Sequence, residues 1–202
     1  MNSSMSPDHR ANVHIITTAF HEAGHTVAAL KAGRYVEYLY ISRKKPGNGF
    51  TLYHKLDIYN PFYPGSTYES VLTAWNFALN NIKKEMSVLL AGPLAEAKYL
   101  NLPLRSLGAI SDLDKCQNLA NRVDVLYGFY NGFYSIPLCE GYKVMNQMRV
   151  STRRWLGQPK TWNTIKLLAE LAIEVNVLNS AQICYLVGKA NESEHQRALN
   201  LY

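Results

Sequence analysis

The chain has 202 residues, of which 48% are hydrophobic and 18% are charged, which is the composition of one globular domain with its own core. No apolar run reaches membrane-spanning length, and the first residues resemble no signal peptide, so we expect a cytoplasmic protein without a membrane span. The net charge of +6 comes from scattered basic residues, which favours a solvated basic surface over a nucleic-acid interface. We expect a single domain over residues 1–202, with residues 1–8 frayed and residues 191–202 forming a polar tail.

The first predicted element is an amphipathic helix that begins near Ser6-Pro7, or near Asn12, and ends at Gly33. One face of it carries small and apolar residues at steps of three and four: Val13, Ile16, Phe20, Gly24 and Val27. The periodicity therefore predicts that this helix packs against a core.

The same helix contains the sequence His21-Glu22-Ala23-Gly24-His25. On a helix the two histidines lie one turn apart on one face, so both imidazoles can bind one zinc ion while Glu22 lies beside it. A catalytic zinc with three protein ligands activates a water molecule, and an adjacent carboxylate can take the proton from that water. We interpret the motif as a hydrolytic metal site rather than as two unrelated histidines.

Two short strands follow, residues 35–42 and 50–54, and the glycine-rich turn 46–49 between them predicts a β-hairpin. The simplest role of the hairpin is to cover the histidine-bearing helix. The alternative is that it offers an edge strand, to which an extended peptide adds by main-chain hydrogen bonds. The residues of this candidate substrate strand are Gly49, Phe50, Thr51 and Leu52.

The rest of the chain is predicted to be helical. A capping box at 66–69 starts a helix that Asn80-Asn81 interrupts and that continues, with a kink at Pro93, towards residue 100. Ser111 is predicted as the N-cap of the next helix, which ends at Gly128. Three further helices are predicted at residues 142–156, 161–176 and 180–189. The expected fold class is α+β, mainly α, with a small sheet packed on the helix that carries the two histidines.

The three cysteines are odd in number and widely spaced, and they contain no Cys-x-x-Cys pair: Cys116, Cys139 and Cys184. This pattern indicates reduced, mostly buried thiols rather than disulfides or a second zinc site.

A catalytic zinc needs a third protein ligand besides the two histidines. The other histidines are poorly placed, because they precede the motif, end the hairpin or lie in the polar tail: His9, His14, His54 and His195. Two acidic residues lie in apolar surroundings. Glu96 is on a predicted helix, and Asp112 is in the first turn of another, where it could also be only a capping charge. The residues alone leave both candidates open.

Four segments, residues 21–25, 49–52, 90–96 and 108–113, resemble the protease domains of the membrane-anchored, ATP-dependent FtsH zinc proteases, peptidase family M41, in the same order along the chain. The predicted C-terminal helices are also similar, so the resemblance covers most of the sequence. It implies that Asp112 is the third zinc ligand and that Glu22 is the catalytic base. It places Glu96 at an acidic position from which it could orient a ligand histidine, and a packing or capping role for Glu96 is the alternative.

The chain also departs from this family. FtsH proteases carry an ATPase ahead of the protease domain, whereas this sequence contains no phosphate-loop motif, so ATP-dependent unfolding of substrates is not implied here. The family's Gly-Gly-Arg is replaced by Ala91-Gly92-Pro93, and residues 57–68 form a longer and more aromatic segment. These differences leave substrate access and hexamer formation open.

The resemblance implies a zinc metalloendopeptidase with one Zn²⁺ per chain, which hydrolyses peptide bonds in extended or unfolded polypeptides. The expected partner is a polypeptide substrate, with a separate ATPase or a homo-oligomer as further possibilities and no nucleic acid. One alternative is a catalytically silent zinc-binding interaction module. Another is a regulatory protease that cleaves a single dedicated protein.

Overall fold

Helices dominate the computed structural model, which describes residues 7–55, 67–104, 110–130 and 139–199. The elements in chain order are α1 (Pro7–Lys31), β1 (Val36–Ile41), β2 (Gly49–Tyr53), α2 (Tyr68–Leu100), α3 (Ile110–Tyr130), α4 (Glu140–Leu156), α5 (Pro159–Val175), β3 (Val177–Asn179) and α6 (Ser180–Leu199). The predicted mainly helical α+β class with a small sheet is confirmed. Within the described ranges, no helix is long and apolar enough to cross a membrane.

The central helix is α1, which packs along α2 on one side and α5 on another. Proline at its first position suits a helix start, because proline has no N–H to leave unpaired there. The predicted N-cap, Ser6, lies outside the described residues. Gly24 lets α1 and α2 approach closely, since a methyl group at this position would lie 2.6 Å from the carbonyl oxygen of Ala91.

Helix α2 is continuous, so the predicted interruption at Asn80-Asn81 is wrong. Asn81 is only 3% exposed, and its place in the packed interior outweighs the weak helix preference of asparagine. Thr67 caps the N-terminus, because its side chain accepts a hydrogen bond from the backbone N–H of Ser70 at 3.3 Å. The helix also passes through Pro93, which is buried.

The sheet has three antiparallel strands in the order β2-β1-β3. The predicted hairpin is present, with Leu39 opposite Thr51 and Tyr40 opposite Phe50. The third strand was not predicted, because three residues carry no readable alternation and β3 exists only through its pairing with β1. Strand β1 is central, and β2 is an edge strand within the described part of the sheet.

Two predicted boundaries in the C-terminal half are wrong. Helix α3 begins at Ile110, so Ser111 is its second residue and not its N-cap, and α3 continues past Gly128 to Tyr130. Helix α6 extends to Leu199, so residues 191–199 are helical and the helix does not end at residue 189 as predicted. Polar composition by itself does not exclude a helix.

The cysteines are free, as predicted, but they are not mostly buried. Cys116 is fully buried on α3, whereas Cys139 and Cys184 are exposed. The spacing of the three cysteines from one another carries no information on their exposure, which depends on how each one is placed relative to the core.

Candidate metal centre

The two histidines of the motif and Asp112 meet at one point. His21 and His25 face the same side of α1, with their Nε2 atoms 3.0 Å apart. Oδ2 of Asp112, from the first turn of α3, lies 3.0 Å from Nε2 of His21 and 3.2 Å from Nε2 of His25. The three side chains are largely buried, with exposed fractions of 16%, 10% and 15% for His21, His25 and Asp112. The structure thus brings together the three residues proposed as ligands.

Helix α2 holds both imidazoles from behind. Nδ1 of His25 lies 2.8 Å from the carbonyl oxygen of Val88, and Nδ1 of His21 lies 2.9 Å from Oε2 of Glu96. A carbonyl can only accept, so His25 donates from Nδ1, and in the neutral ring its Nε2 then carries a lone pair. The same tautomer of His21 donates to Glu96. Glu96 therefore occupies the place of a carboxylate that orients a ligand histidine.

Gly92 lies between these two contacts, one turn from Val88 and one turn from Glu96. A methyl group on Gly92 would lie 2.3 Å from Nε2 of His25, so a side chain at this position would displace the imidazole. Val88, Gly92 and Glu96 form one stripe of α2 at a spacing of four residues, and this stripe backs the two histidines. From the sequence, residues 91–93 were notable only because they differ from the family's Gly-Gly-Arg, and the contact of Gly92 with His25 was not predicted.

Glu22 is buried beside the histidines, with 7% of its surface exposed. The hydroxyl of Thr51, on β2, lies 2.9 Å from Oε2 of Glu22 and also 2.9 Å from its carbonyl oxygen. Gly49 permits this approach, because a methyl group there would lie 3.1 Å from Cγ of Glu22 and 2.7 Å from Cγ2 of Thr18. Strand β2 of the hairpin therefore packs directly against α1 at Glu22.

These groups line a cleft of about 660 Å³ between β2 and the first four turns of α3. The four residues of the candidate substrate strand all line it: Gly49, Phe50, Thr51 and Leu52. The backbone N–H groups of Ser42 and His54 donate to the carbonyl oxygens of Asn48 and Tyr35, so even-numbered residues of β2 point their main-chain groups at β1. By the antiparallel alternation, the main-chain groups of Gly49, Thr51 and Tyr53 point to the open edge.

The charges of the cluster are strongly coupled. Burial lowers the pKa of His21, but hydrogen bonds to Asp112 and Glu96 outweigh that effect and raise the pKa to about 9. Burial alone would raise the pKa of Asp112, but its hydrogen bonds to His21 and His25 hold that pKa well below its usual range. Both shifts favour a protonated His21 beside an ionised Asp112.

The donor set suits a metal ion. With both Nδ1 atoms engaged and the rings neutral, two imidazole lone pairs and one carboxylate oxygen face a common point, and a proton or a metal cation there relieves their mutual repulsion. Two histidines and a carboxylate are typical ligands of zinc, and tetrahedral zinc bonds keep ligand atoms about 3.3 Å apart. The observed separations of 3.0 to 3.2 Å are close to that value. The residues present therefore fit zinc.

A second buried polar group lines the same cleft and was missed in the sequence. Arg34 forms an ion pair with Glu85, whose other oxygen, Oε1, accepts a hydrogen bond of 3.1 Å from the hydroxyl of Tyr53. Burial and then the charge of Glu85 raise the pKa of Tyr53 well above its usual range. No local pattern predicts this group, because its members come from a loop, a strand and a helix.

No protein-family model matches the chain, and no curated protein matches it. What the site can do therefore follows from its own residues and geometry.

Proposed function

We propose that the protein is a zinc-dependent metalloendopeptidase of FtsH-like type that hydrolyses peptide bonds in extended polypeptides. The observation that carries this proposal is the meeting of His21, His25 and Asp112 at the floor of a cleft that Glu22 and an edge strand also line. The two histidines and the aspartate would bind the metal, the glutamate would act as the base, and the edge strand would bind the peptide substrate.

His21, His25 and Asp112 would hold the zinc ion, with Glu96 and the carbonyl of Val88 fixing the two rings. Zinc at such a site supplies Lewis acidity, which activates water and polarises a carbonyl group. The carboxylate ligand reduces the net charge of the centre compared with three histidines, so it is a milder Lewis acid.

Glu22 is the general base and then the general acid. Its carboxylate takes the proton of the attacking water and delivers it to the leaving amine. The hydroxyl of Thr51 donates to Oε2 of Glu22, which restrains the carboxylate at the cleft that Glu22 lines. Burial beside Gly49 limits access of bulk water to this group.

The substrate is expected to add to the edge of β2 as a further strand. The main-chain groups of Gly49, Thr51 and Tyr53, which no other described strand pairs with, would pair with a peptide backbone, whatever its side chains. A folded protein cannot present such a strand, so extended or unfolded segments are the substrate class. Pairing at Thr51 would place the peptide beside Glu22.

The test combines metal content and hydrolysis. We expect about one zinc per chain by mass spectrometry, lost in His25→Ala and Asp112→Ala and retained in His54→Ala, a control histidine exposed on the hairpin. Wild type should digest casein and a quenched peptide, and Glu22→Gln should keep its zinc and lose digestion. Zinc without digestion would contradict the peptidase and favour an interaction module. Full activity in Glu22→Gln would contradict the assigned base.

A further inference from the structure

Three cationic side chains line the cleft. Lys55 follows β2 on one wall, and Lys115 and Arg122 project from α3 on the other. All three residues are exposed. Lys115 lies 3.4 Å from Oδ1 of Asp112, whereas Lys55 and Arg122 form no ion pair or side-chain hydrogen bond with the rest of the described chain.

The acidic residues of the cleft are all engaged within the protein. Oε2 of Glu22 accepts from Thr51, and Oδ2 of Asp112 faces the two ligand histidines. Glu85 is neutralised by its ion pair with the buried Arg34. Glu22 keeps its negative charge beside the metal centre, whereas away from that centre the charge left for a ligand is positive and lies on Lys55 and Arg122.

Contacts with α2 show that these two cations lie at the same end. Along α2, Val88 contacts His25, and Glu85, almost one turn earlier, contacts Tyr53 of β2. Earlier still, the indole N–H of Trp75 donates to the carbonyl of Leu126 on α3. Strand β2, which begins beside Glu22, and α3, which begins at the metal centre, therefore both run towards the N-terminal part of α2.

On both walls of the cleft, the distance from the metal centre to the cation is similar. Lys55 follows Thr51 by four residues, about 13 Å in an extended chain. Arg122 follows Asp112 by ten residues of helix, about 15 Å. Either distance equals about four residues of an extended peptide. A peptide that pairs antiparallel with β2, the more stable arrangement, has its N-terminal side at this end.

We propose that the cleft selects peptides with an acidic side chain about four residues N-terminal to the bond that is cut. The selection rests on the proposed peptidase function and adds a substrate class to it. The acid forms charge-assisted contacts with Lys55 and Arg122, while the main chain pairs with β2. Exposed ion pairs are individually weak, so two of them favour an acidic over a neutral side chain by about fivefold.

The experiment maps cleavage sites in a peptide mixture derived from an unrelated proteome, using the zinc-loaded protein and mass spectrometry. We expect glutamate and aspartate to be enriched about fivefold at the third to fifth residue before the cut. The enrichment should be lost in Arg122→Gln combined with Lys55→Gln. It should remain in Arg153→Gln combined with Arg154→Gln, a matched loss of two charges at exposed positions of α4 outside the cleft.

Cleavage without enrichment at these positions would overturn the proposed selection and leave the peptidase intact. Absence of cleavage would contradict the proposed peptidase function instead. The preference for acidic peptides would then be tested by peptide binding. Fluorescence anisotropy on the zinc-loaded Glu22→Gln protein would compare peptides with two glutamates or two glutamines in the N-terminal half. Equal affinity for the two peptides would overturn the proposal, and about fivefold tighter binding of the glutamate peptide would support it.

Discussion

Oε2 of Glu96 lies 2.9 Å from Nδ1 of His21, although 75 residues separate the two in sequence. The other histidine proposed as a ligand, His25, has the backbone carbonyl of Val88 at the corresponding nitrogen. A carboxylate partner makes an imidazole a stronger electron donor than a carbonyl does, and it also fixes the ring. Of the two proposed ligand histidines, His21 is thus the one whose donor strength depends on a replaceable side chain.

Replacing Glu96 with alanine should therefore weaken zinc binding by about 10- to 100-fold, which is typical for loss of such an orienting group. Glu96→Gln should have a smaller effect, because the amide oxygen can still accept from Nδ1. Competition with a chromophoric chelator measures the affinity, and Glu170→Ala, at an exposed position of α5, serves as the control. Unchanged affinity in Glu96→Ala would reduce Glu96 to a packing or capping role.

Gly92→Ala should disrupt the site, because the added methyl group would lie 2.3 Å from Nε2 of His25. We expect loss of stoichiometric zinc and a lower melting temperature. Gly188→Ala is the matched control on another helix, since nothing lies within 4 Å of the added group there. That change should stabilise the protein slightly, by up to about 1 kcal/mol. Normal zinc content in Gly92→Ala would mean that α2 can move away from the imidazole.

The metal-free protein should lose stability as the pH rises. The pKa of His21 is raised from 6.5 to about 9 in the folded state. A raised pKa adds stability that is complete below pH 6.5 and is lost as the pH passes 9, and its full size is about 3 kcal/mol. Asp112 adds no slope in this window, because its depressed pKa affects stability only at acid pH. Urea unfolding with a chelator measures the slope, which His21→Gln should remove. A slope that persists in His21→Gln would assign it to another group.

Local patterns were sufficient to predict the motif helix, the hairpin and the helical character of the remainder. Each of these depends on residues close in sequence, such as the three- and four-residue spacing before Val27 or the glycine-rich turn before Phe50. Strand β3 could not be predicted in this way, because its three residues are ordered by their partners on β1. The predicted interruption at Asn80-Asn81 was wrong because Asn81 is buried in α2, and this burial outweighs the weak preference of asparagine for helices.

At the site, spacing within one helix pointed to His21, Glu22 and His25, but no spacing could choose between Glu96 and Asp112. The choice depends on where α2 and α3 lie relative to α1. In the structure, Asp112 faces both Nε2 atoms while Glu96 lies behind the ring of His21. The contacts of Thr51, Val88 and Gly92 have the same character, because each joins elements distant in sequence.

The cysteines should differ in reactivity. Burial raises the pKa of the Cys116 thiol to about 12, and its side chain is fully buried. Cys139 and Cys184 are exposed. A disulfide reagent at neutral pH should therefore label two thiols quickly in the folded protein and the third only after unfolding. The variant Cys139→Ser, Cys184→Ser should show no fast labelling, and fast reaction of Cys116 would place it at the surface.

The ion pair between Arg34 and Glu85 should be sensitive to the loss of one partner. Arg34 has no exposed side-chain surface, and the side chain of Glu85 is 10% exposed. Water therefore cannot readily solvate the charge that remains when one partner is removed. Arg34→Ala leaves a buried carboxylate unpaired, which costs about 3–5 kcal/mol of unfolding free energy. The double variant with Glu85→Gln should recover much of this cost, because the amide carries no charge and still accepts from Tyr53.

Lys143→Ala, which breaks the exposed pair with Glu140, is the control and should show no measurable change. If Arg34→Ala and Lys143→Ala were equally mild, the buried pair would not contribute to stability at the cleft.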